Sequence, residues 1–368
     1  MKIKSAEILK LVIPLKSPFI TSFGKLTDRS IVFVKLYDSS GVIGLGESAN
    51  MDFPIYEPDF NTATIALLRE LISSQLIGKE VNTIENLENC YKNIRGNNIA
   101  KTAIESAYWN IESIVKEVPL NVLWGGVKDK VNVGISIGLG NSLEESIDKV
   151  KKYVSDNNPK RVKLKIRRGI DLKYIESIRN YYPKLNIQID ANAGYTIKDK
   201  SLFKRLDMLN LSMIEQPFEY NDLVDHSILQ SELNTPICLD ESISNYHMAD
   251  QAIKIKACKI MNLKPQRVGG YYEAKRIAKL CELNSIPVWC GGMIESGWGQ
   301  LFNTAIATLP NFNYDNDICL SKWYLFDDIL KNDIKEKDGV IDIKSTYDLF
   351  EIDEKKFQKY TVYRENIS

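Results

Sequence analysis

The sequence predicts an α/β protein in which a parallel β/α barrel is joined to a smaller α+β unit. Seven short apolar runs, separated by amphipathic helical stretches, occupy the chain from about Val131: "VNVGISIG", "RVKLKI", "LNIQID", "LSMIEQP", "PICLDES", "KIMNLKP" and "PVWCGGM". Charged residues close five of these runs at a near-constant interval. Lys165 to Asp190, Asp190 to Glu215 and Glu215 to Asp240 are each 25 residues, and Asp240 to Lys264 is 24. A strand, helix and return loop of a barrel repeat need about that length. The first 125 or so residues have a different texture, with strands followed by helices.

In that first unit, Ile31 to Ser48 reads as two strands about the turn Asp38-Ser-Ser-Gly41. Helical periodicity runs from about Glu57 to Cys90 and again from Ile99 to Lys116, ending before Pro119. An eighth barrel strand is expected near Phe312 to Ile318. From about Lys322 the strand-like "GVIDI" and a mixed tail are expected to pack back on the amino-terminal unit. No GxGxxG follows the first barrel strand, so a dinucleotide site is not expected.

The 48 basic and 48 acidic residues of the 368-residue chain cancel, leaving no net attraction to nucleic acid or an anionic membrane. The apolar run at the amino terminus is short and broken by lysine, unlike a signal peptide, and no segment is long enough to span a membrane, so a cytoplasmic setting is expected. The six cysteines lack CxxC spacing and read as buried small hydrophobes. The two histidines, His226 and His247, lie in polar stretches that read as exposed helix ends.

On "RVKLKI" the period of two puts Lys163 and Lys165 on one strand face and Val162, Leu164 and Ile166 on the other. At the carboxyl-terminal mouth of a barrel these lysines would meet Asp190, Glu215, Asp240 and Lys264. One such charge reads equally well as a solvated strand end; five at this spacing do not. Carboxylates from three neighbouring strands repel unless a cation lies among them, and an all-oxygen set on rigid strands suits Mg²⁺. A cation and a second ammonium nearby would draw a lysine pKa down toward roughly 7 to 8, where it can act as a base. The chemistry expected is removal of the proton α to a substrate carboxylate, with the enediolate stabilised by the metal.

The motifs "KLK" (163–165), "DANAGY" (190–195), "IEQP" (214–217), "LDES" (239–242), "NLKPQRVGG" (262–270) and "GGMIESG" (291–297) resemble, in order and combination, the enolase superfamily. Within it they resemble the o-succinylbenzoate synthase / N-succinylamino acid racemase family of the muconate lactonizing enzyme subgroup; Lys bases with Mg²⁺ are general to the superfamily. The resemblance implies a modified TIM barrel, (β/α)7β, with an α+β capping domain formed by the N-terminal segment and C-terminal tail. The divisions expected are 1–126 for the cap, 127–321 for the barrel and 322–368 for the tail.

It further implies Asp190, Glu215 and Asp240 as metal ligands, for Mg²⁺ or a substituting Mn²⁺. Lys165 and Lys264 would be the acid/base pair, with Lys163, Asn192 and Arg267 acting around them. Two cap loops, Ser17 to Gly24 and Glu47 to Tyr56, would cover the substrate through Phe19, Ser22, Phe23, Met51, Phe53 and Tyr56. Met293, Ile294, Glu295 and Ser296 would meet it from the barrel. The implied reaction is dehydration of 2-succinyl-6-hydroxy-2,4-cyclohexadiene-1-carboxylate to 2-succinylbenzoate, in menaquinone biosynthesis, with racemisation of N-succinylamino acids as the alternative. The partners implied are a small carboxylate substrate and further copies of the chain. Two stretches depart from the family pattern: Tyr314-Asp-Asn-Asp317, where a Pro-Gly-Asp turn is expected, and "TYDLFEID" near the carboxyl terminus.

Overall fold

The computed structural model describes residues 1–21, 24–157 and 159–368. Three strands open the chain: β1 (Ile3–Thr21), β2 (Gly24–Asp38) and β3 (Ile43–Ser48). Next come β4 (Lys130–Asn132), β5 (Ile135–Ile137), β6 (Val162–Lys165), β7 (Ile187–Asp190) and β8 (Met213–Glu215). The last are β9 (Ile237–Leu239), β10 (Ile260–Leu263), β11 (Val288–Cys290), β12 (Val340–Asp342) and β13 (Thr361–Ile367).

The cap is an antiparallel sheet in the order β13-β1-β2-β3. Ile31 through Val34 on β2 are all buried, which an alternating strand permits only if both faces are covered. The helix Asn98–Lys116 packs on the side of β2 and β3, while Phe357 of the helix Glu354–Tyr360 stacks edge-on against Phe33. The long helix sits so close that a Cβ on Gly46 would lie 1.8 Å from the Ala103 carbonyl oxygen. The hairpin expected around Asp38–Gly41 is present, with Phe33 opposite Glu47. The single helical stretch expected from Glu57 to Cys90 is instead two helices, Asn61–Leu71 and Ile84–Tyr91. They are separated by a π turn and by Gly78 at φ 75°, a left-handed conformation that favours glycine.

Strands β5 to β11 form one parallel sheet in sequence order, the βα alternation that the apolar runs predict. Residues 312–317 join its two ends. Asp317 N–H donates to the Cys290 carbonyl at 2.8 Å, and Gly134 N–H donates to the Asn316 carbonyl at 2.8 Å. The segment otherwise pairs through isolated bridges at Phe312 and Asn316 and not through a continuous ladder, which accounts for its weak strand signal. The run "VNVGISIG" splits at Gly134: β4 pairs antiparallel with β12, and β5 enters the barrel. The carboxyl-terminal strand β13 pairs with β1, so the tail does return to the amino-terminal sheet.

Cap and barrel are tied by buried polar contacts that no sequence pattern announced. Arg29, 2 % exposed, donates to the carbonyls of Ser30, Ala49 and Asn50 in the cap and of Met293 and Ile294 in the barrel. Glu47 reaches the start of the helix Gly297–Ile306, accepting from Ser296 N at 2.9 Å, Ser296 Oγ at 2.5 Å and Gly299 N at 3.0 Å. His226 corrects an expectation: it is fully buried, because its Nε2 accepts from Phe218 N–H at 3.2 Å while Nδ1 meets the Asp222 carbonyl. His247 is exposed as expected. All six cysteines are free, five of them buried and Cys90 half-buried. Among the described residues no helix is long and apolar enough to cross a membrane.

The Glu47 contact has a pH signature. Burial pushes its carboxyl up to about 8 from an ordinary 4.5, against the hydrogen bonds from Ser296. Between these values the folded state holds a proton that the unfolded chain has released, so this group's contribution to stability falls as pH rises from 4.5 to about 8. The slope in mid-window is about 1.4 kcal/mol per pH unit. Glu47→Gln is expected to remove that slope. Urea unfolding of both proteins across this range checks it, and parallel pH curves would contradict it.

Candidate active site

Each chemical side chain in the barrel mouth is placed by strand register. Lys165 pairs with Asp190, and Asp190 with Glu215, across β6, β7 and β8; Asp240 follows β9, and Lys264 follows β10. Val162 and Leu164 point away into the hydrophobic core, which leaves Lys163 and Lys165 facing inward as the alternation predicts. Beta-6 and β10 are four strands apart in a ring of eight positions, so Lys165 and Lys264 stand across the mouth from each other, with the carboxylate strands between. Asp190, Glu215 and Asp240 are at most 1 % exposed.

The carboxylates are held by a ring of cations. Lys165 Nζ lies 2.7 Å from Asp190 Oδ2 and 2.7 Å from Asn192 Oδ1. Lys264 Nζ lies 2.8 Å from Asp240 Oδ2 and 2.7 Å from the Tyr56 hydroxyl. Arg267 bonds Asp240 Oδ1 with Nη1, Glu57 with Nε at 2.6 Å and Tyr56 with Nη2 at 2.7 Å. Lys163 Nζ lies 2.7 Å from Asp317 Oδ2 and over the Trp289 ring. Glu215 differs, since its oxygens accept from the neutral amides of Asn262 at 2.8 Å and Gln188 at 2.5 Å.

The protonation directions follow from these partners. Burial works to raise the Asp240 carboxyl, but Arg267 and then Lys264 hold it far below the usual range. Glu215 is pushed up to about 8 by burial and then by the charge of Asp190. Lys163 and Lys264 are both raised above the ordinary lysine value. Burial is the largest influence and lowers both, but the surrounding acids together outweigh it: Asp240 and then Glu241 for Lys264, and Asp317, Glu215 and Asp190 for Lys163. Each of these two ammonium groups sits within 3 Å of a carboxylate, 2.7 Å for Lys163 and 2.8 Å for Lys264, where the attraction is strong.

A cavity opens onto this cluster. Lys163, Lys165, Lys264, Asn192 and Asp317 line its barrel side, and Phe19, Met51 and Tyr56 its cap side. Met293, Ile294, Cys319 and Tyr324 complete an apolar wall. Phe53 is 75 % exposed and outside the cavity wall. Glu295 and Ser296 are buried between cap and barrel instead: Glu295 Oε2 accepts from Met293 N–H at 2.9 Å, and Ser296 binds Glu47. Ser22 and Phe23 lie outside the described residues. A larger cleft of about 460 Å³, with Lys35 and Glu354 at its edge and Trp298 and Phe350 in its wall, contains none of the expected site residues.

Four contributors were not singled out from sequence. Asp317 pairs with Lys163; Gln188 and Asn262 orient Glu215; and Gln216 ties two strand ends together. Gln216, in the left-handed region at φ 37°, accepts from Asp240 N at 3.0 Å and Ser242 N at 3.2 Å. It also donates to Ser242 Oγ at 2.8 Å and the Phe218 carbonyl at 3.0 Å. The "IEQP" motif held the signal for Gln216, and inward alternation on β7 and β10 held it for Gln188 and Asn262.

Fold and site together define an acid/base enzyme of the enolase class. Residues 3–125 match the family described as mandelate racemase / muconate lactonizing enzyme, N-terminal domain, and residues 145–347 match enolase C-terminal domain-like. The chain belongs to the enolase superfamily. It is 37% identical to an o-succinylbenzoate synthase from Geobacillus kaustophilus over 96% of this chain and 94% of that protein. It is also 37% identical to an N-succinylamino acid racemase from Thermus thermophilus, over 93% and 92% of the two chains. The crystal structure of an enolase-superfamily member from Listeria innocua, 35% identical, superposes with a TM-score of 0.94, covering 100% of this chain and 99% of that one.

Removal of the Gln216 amide leaves four buried backbone and hydroxyl groups without partners. Gln216→Ala is expected to destabilise the fold by about 3 kcal/mol or more. Urea unfolding measures it, and a loss below about 1 kcal/mol would show that the amide does not hold the strand ends together.

Proposed function

We propose that this protein is an o-succinylbenzoate synthase that uses Lys165 as the base, Lys264 as the opposed cation, and Asp190, Glu215 and Asp240 to hold Mg²⁺. The observation that carries the reading is the pair of buried lysines across one mouth, each bonded to a carboxylate of the strands between them. Among the described residues no group of three or more Asp, Glu, His or Cys side chains is disposed to hold a metal as it stands, since amines and amides bond the acidic oxygens. The chemistry of the set nevertheless fits a hard cation. The donors are all oxygen, Glu215 is a destabilised anion whose hydrogen bonds come from amides, and Glu241 Oε2 is buried beside them with no hydrogen-bond partner among the described residues. When bound, Mg²⁺ supplies a Lewis acid that neutralises charge gathering on a substrate carboxylate.

The protein's own groups do the rest. Lys165 Nζ takes the proton from the carbon that bears the carboxylate, and Asn192 Oδ1 fixes the direction of that amine. The C–O bond of the adjacent ring carbon then breaks, and the departing hydroxide takes the proton from Lys165 to leave as water, giving the aromatic product. Lys264, held by Asp240 and Tyr56, faces the opposite side as an ammonium that offsets negative charge. Phe19, Met51 and Tyr56 shield the substrate from water. The same opposed amines support racemisation of N-succinylamino acids, in which Lys264 returns a proton to the other face. The equal identity to a racemase favours keeping this second activity. The proposal includes a homo-oligomeric enzyme in the cytoplasm; analytical ultracentrifugation tests the first part.

The purified chain is expected to dehydrate the cyclohexadiene substrate and to lose activity in EDTA, with Mg²⁺ or Mn²⁺ restoring it. Activity untouched by chelator would remove the metal from the reading. Lys165→Ala is expected to lower synthase turnover by roughly 10⁴-fold with the fold intact. Lys264→Ala is expected to abolish exchange of the α-hydrogen of N-succinyl amino acids with solvent deuterium; exchange at the wild-type rate would refute the two-base racemase.

A further inference from the structure

Asp317 is an acid in this mouth that the reaction above does not use. Its backbone closes the barrel against Cys290, while its side chain, 3 % exposed, does something separate: it takes the Lys163 ammonium at 2.7 Å. Lys163 Nζ is also 3.5 Å from Glu215 Oε2 and 3.6 Å from Asp190 Oδ2. Three carboxylates therefore contest one ammonium, and a shift of under about 1 Å would give it to the other two at full hydrogen-bond length. Each acidic oxygen bonded to an ammonium is one that a metal must win back in a buried setting where such bonds are strong.

We infer that Asp317 is a positioning residue that withholds Lys163 from Asp190 and Glu215 and so keeps their oxygens available to Mg²⁺. The inference rests on the metal reading given above. Arg161 supports it from below. Its guanidinium helps keep Asp317 anionic, and it donates through Nη1 to Gln188 Oε1 at 2.5 Å, which turns the Gln188 amide N–H toward Glu215. Lys163 is thus held on one side while Glu215 is oriented on the other.

Isothermal titration with MgCl₂ alone, on wild type, Asp317→Asn, Lys163→Met and the double variant, tests it. Near-UV circular dichroism confirms that each protein is folded. Asp317→Asn is expected to weaken Mg²⁺ binding by roughly tenfold or more, because the freed ammonium moves onto the ligands. In the Lys163→Met background the same substitution is expected to change affinity by less than about threefold, because no ammonium is left to misplace. Unchanged affinity in Asp317→Asn overturns the inference. So does equal weakening in both backgrounds, which would mark Asp317 as a distant charge only. Should Asp317→Asn not fold, the Lys163→Met pair decides alone, and a tenfold loss there overturns the inference. A wild-type chain that takes up no Mg²⁺ overturns the metal reading instead.

Discussion

The structure depends on burying charge of both signs together at one end of a barrel. Asp190, Glu215, Asp240 and Asp317 are excluded from water together with Lys163, Lys165, Lys264 and Arg267. An isolated buried charge costs several kcal/mol, and a misplaced pair is little better. Such a cluster persists only if each member is fixed to a fraction of an ångström. Rigid parallel strands supply that precision, and the amides of Gln188, Gln216 and Asn262 finish it.

Much of this was legible in the chain because strand chemistry is periodic. The interval of 24 or 25 residues between charged strand ends located five of the buried charges, and the alternation in "RVKLKI" fixed which lysines turn inward. Other features had no periodic signal. The interior amides look like ordinary polar residues within short strands. Glu47 and Arg29 lie in a stretch whose hydrophobicity reports only the cap sheet, although their partners are some 250 residues away. Asp317 sits in a segment with too little strand pairing to show a pattern, and it became visible only through Lys163.

The lysines show where reasoning from residue type stops short. Residue type lists which charges lie near one another; the packed structure pairs Lys163 and Lys264 each with a carboxylate, and the acids around them together raise both amines. Sign depends on which neighbour is within 3 Å, and composition carries no such distances.

The cap matters to the chemistry through the same economy of buried contacts. Tyr56 reaches Lys264, Arg267 and Asp240 together from the cap, and the adjacent Glu57 bonds Nε of Arg267. A movement of this loop would therefore strip hydrogen bonds from a barrel lysine and a barrel carboxylate at once. Arg29 and Glu47 resist such movement by pinning the loop's base and the apolar wall at Met293 and Ile294 to one another. Covering the substrate and setting the environment of Lys264 are on this account one event: the group that shuts out water is also the group that holds the amine.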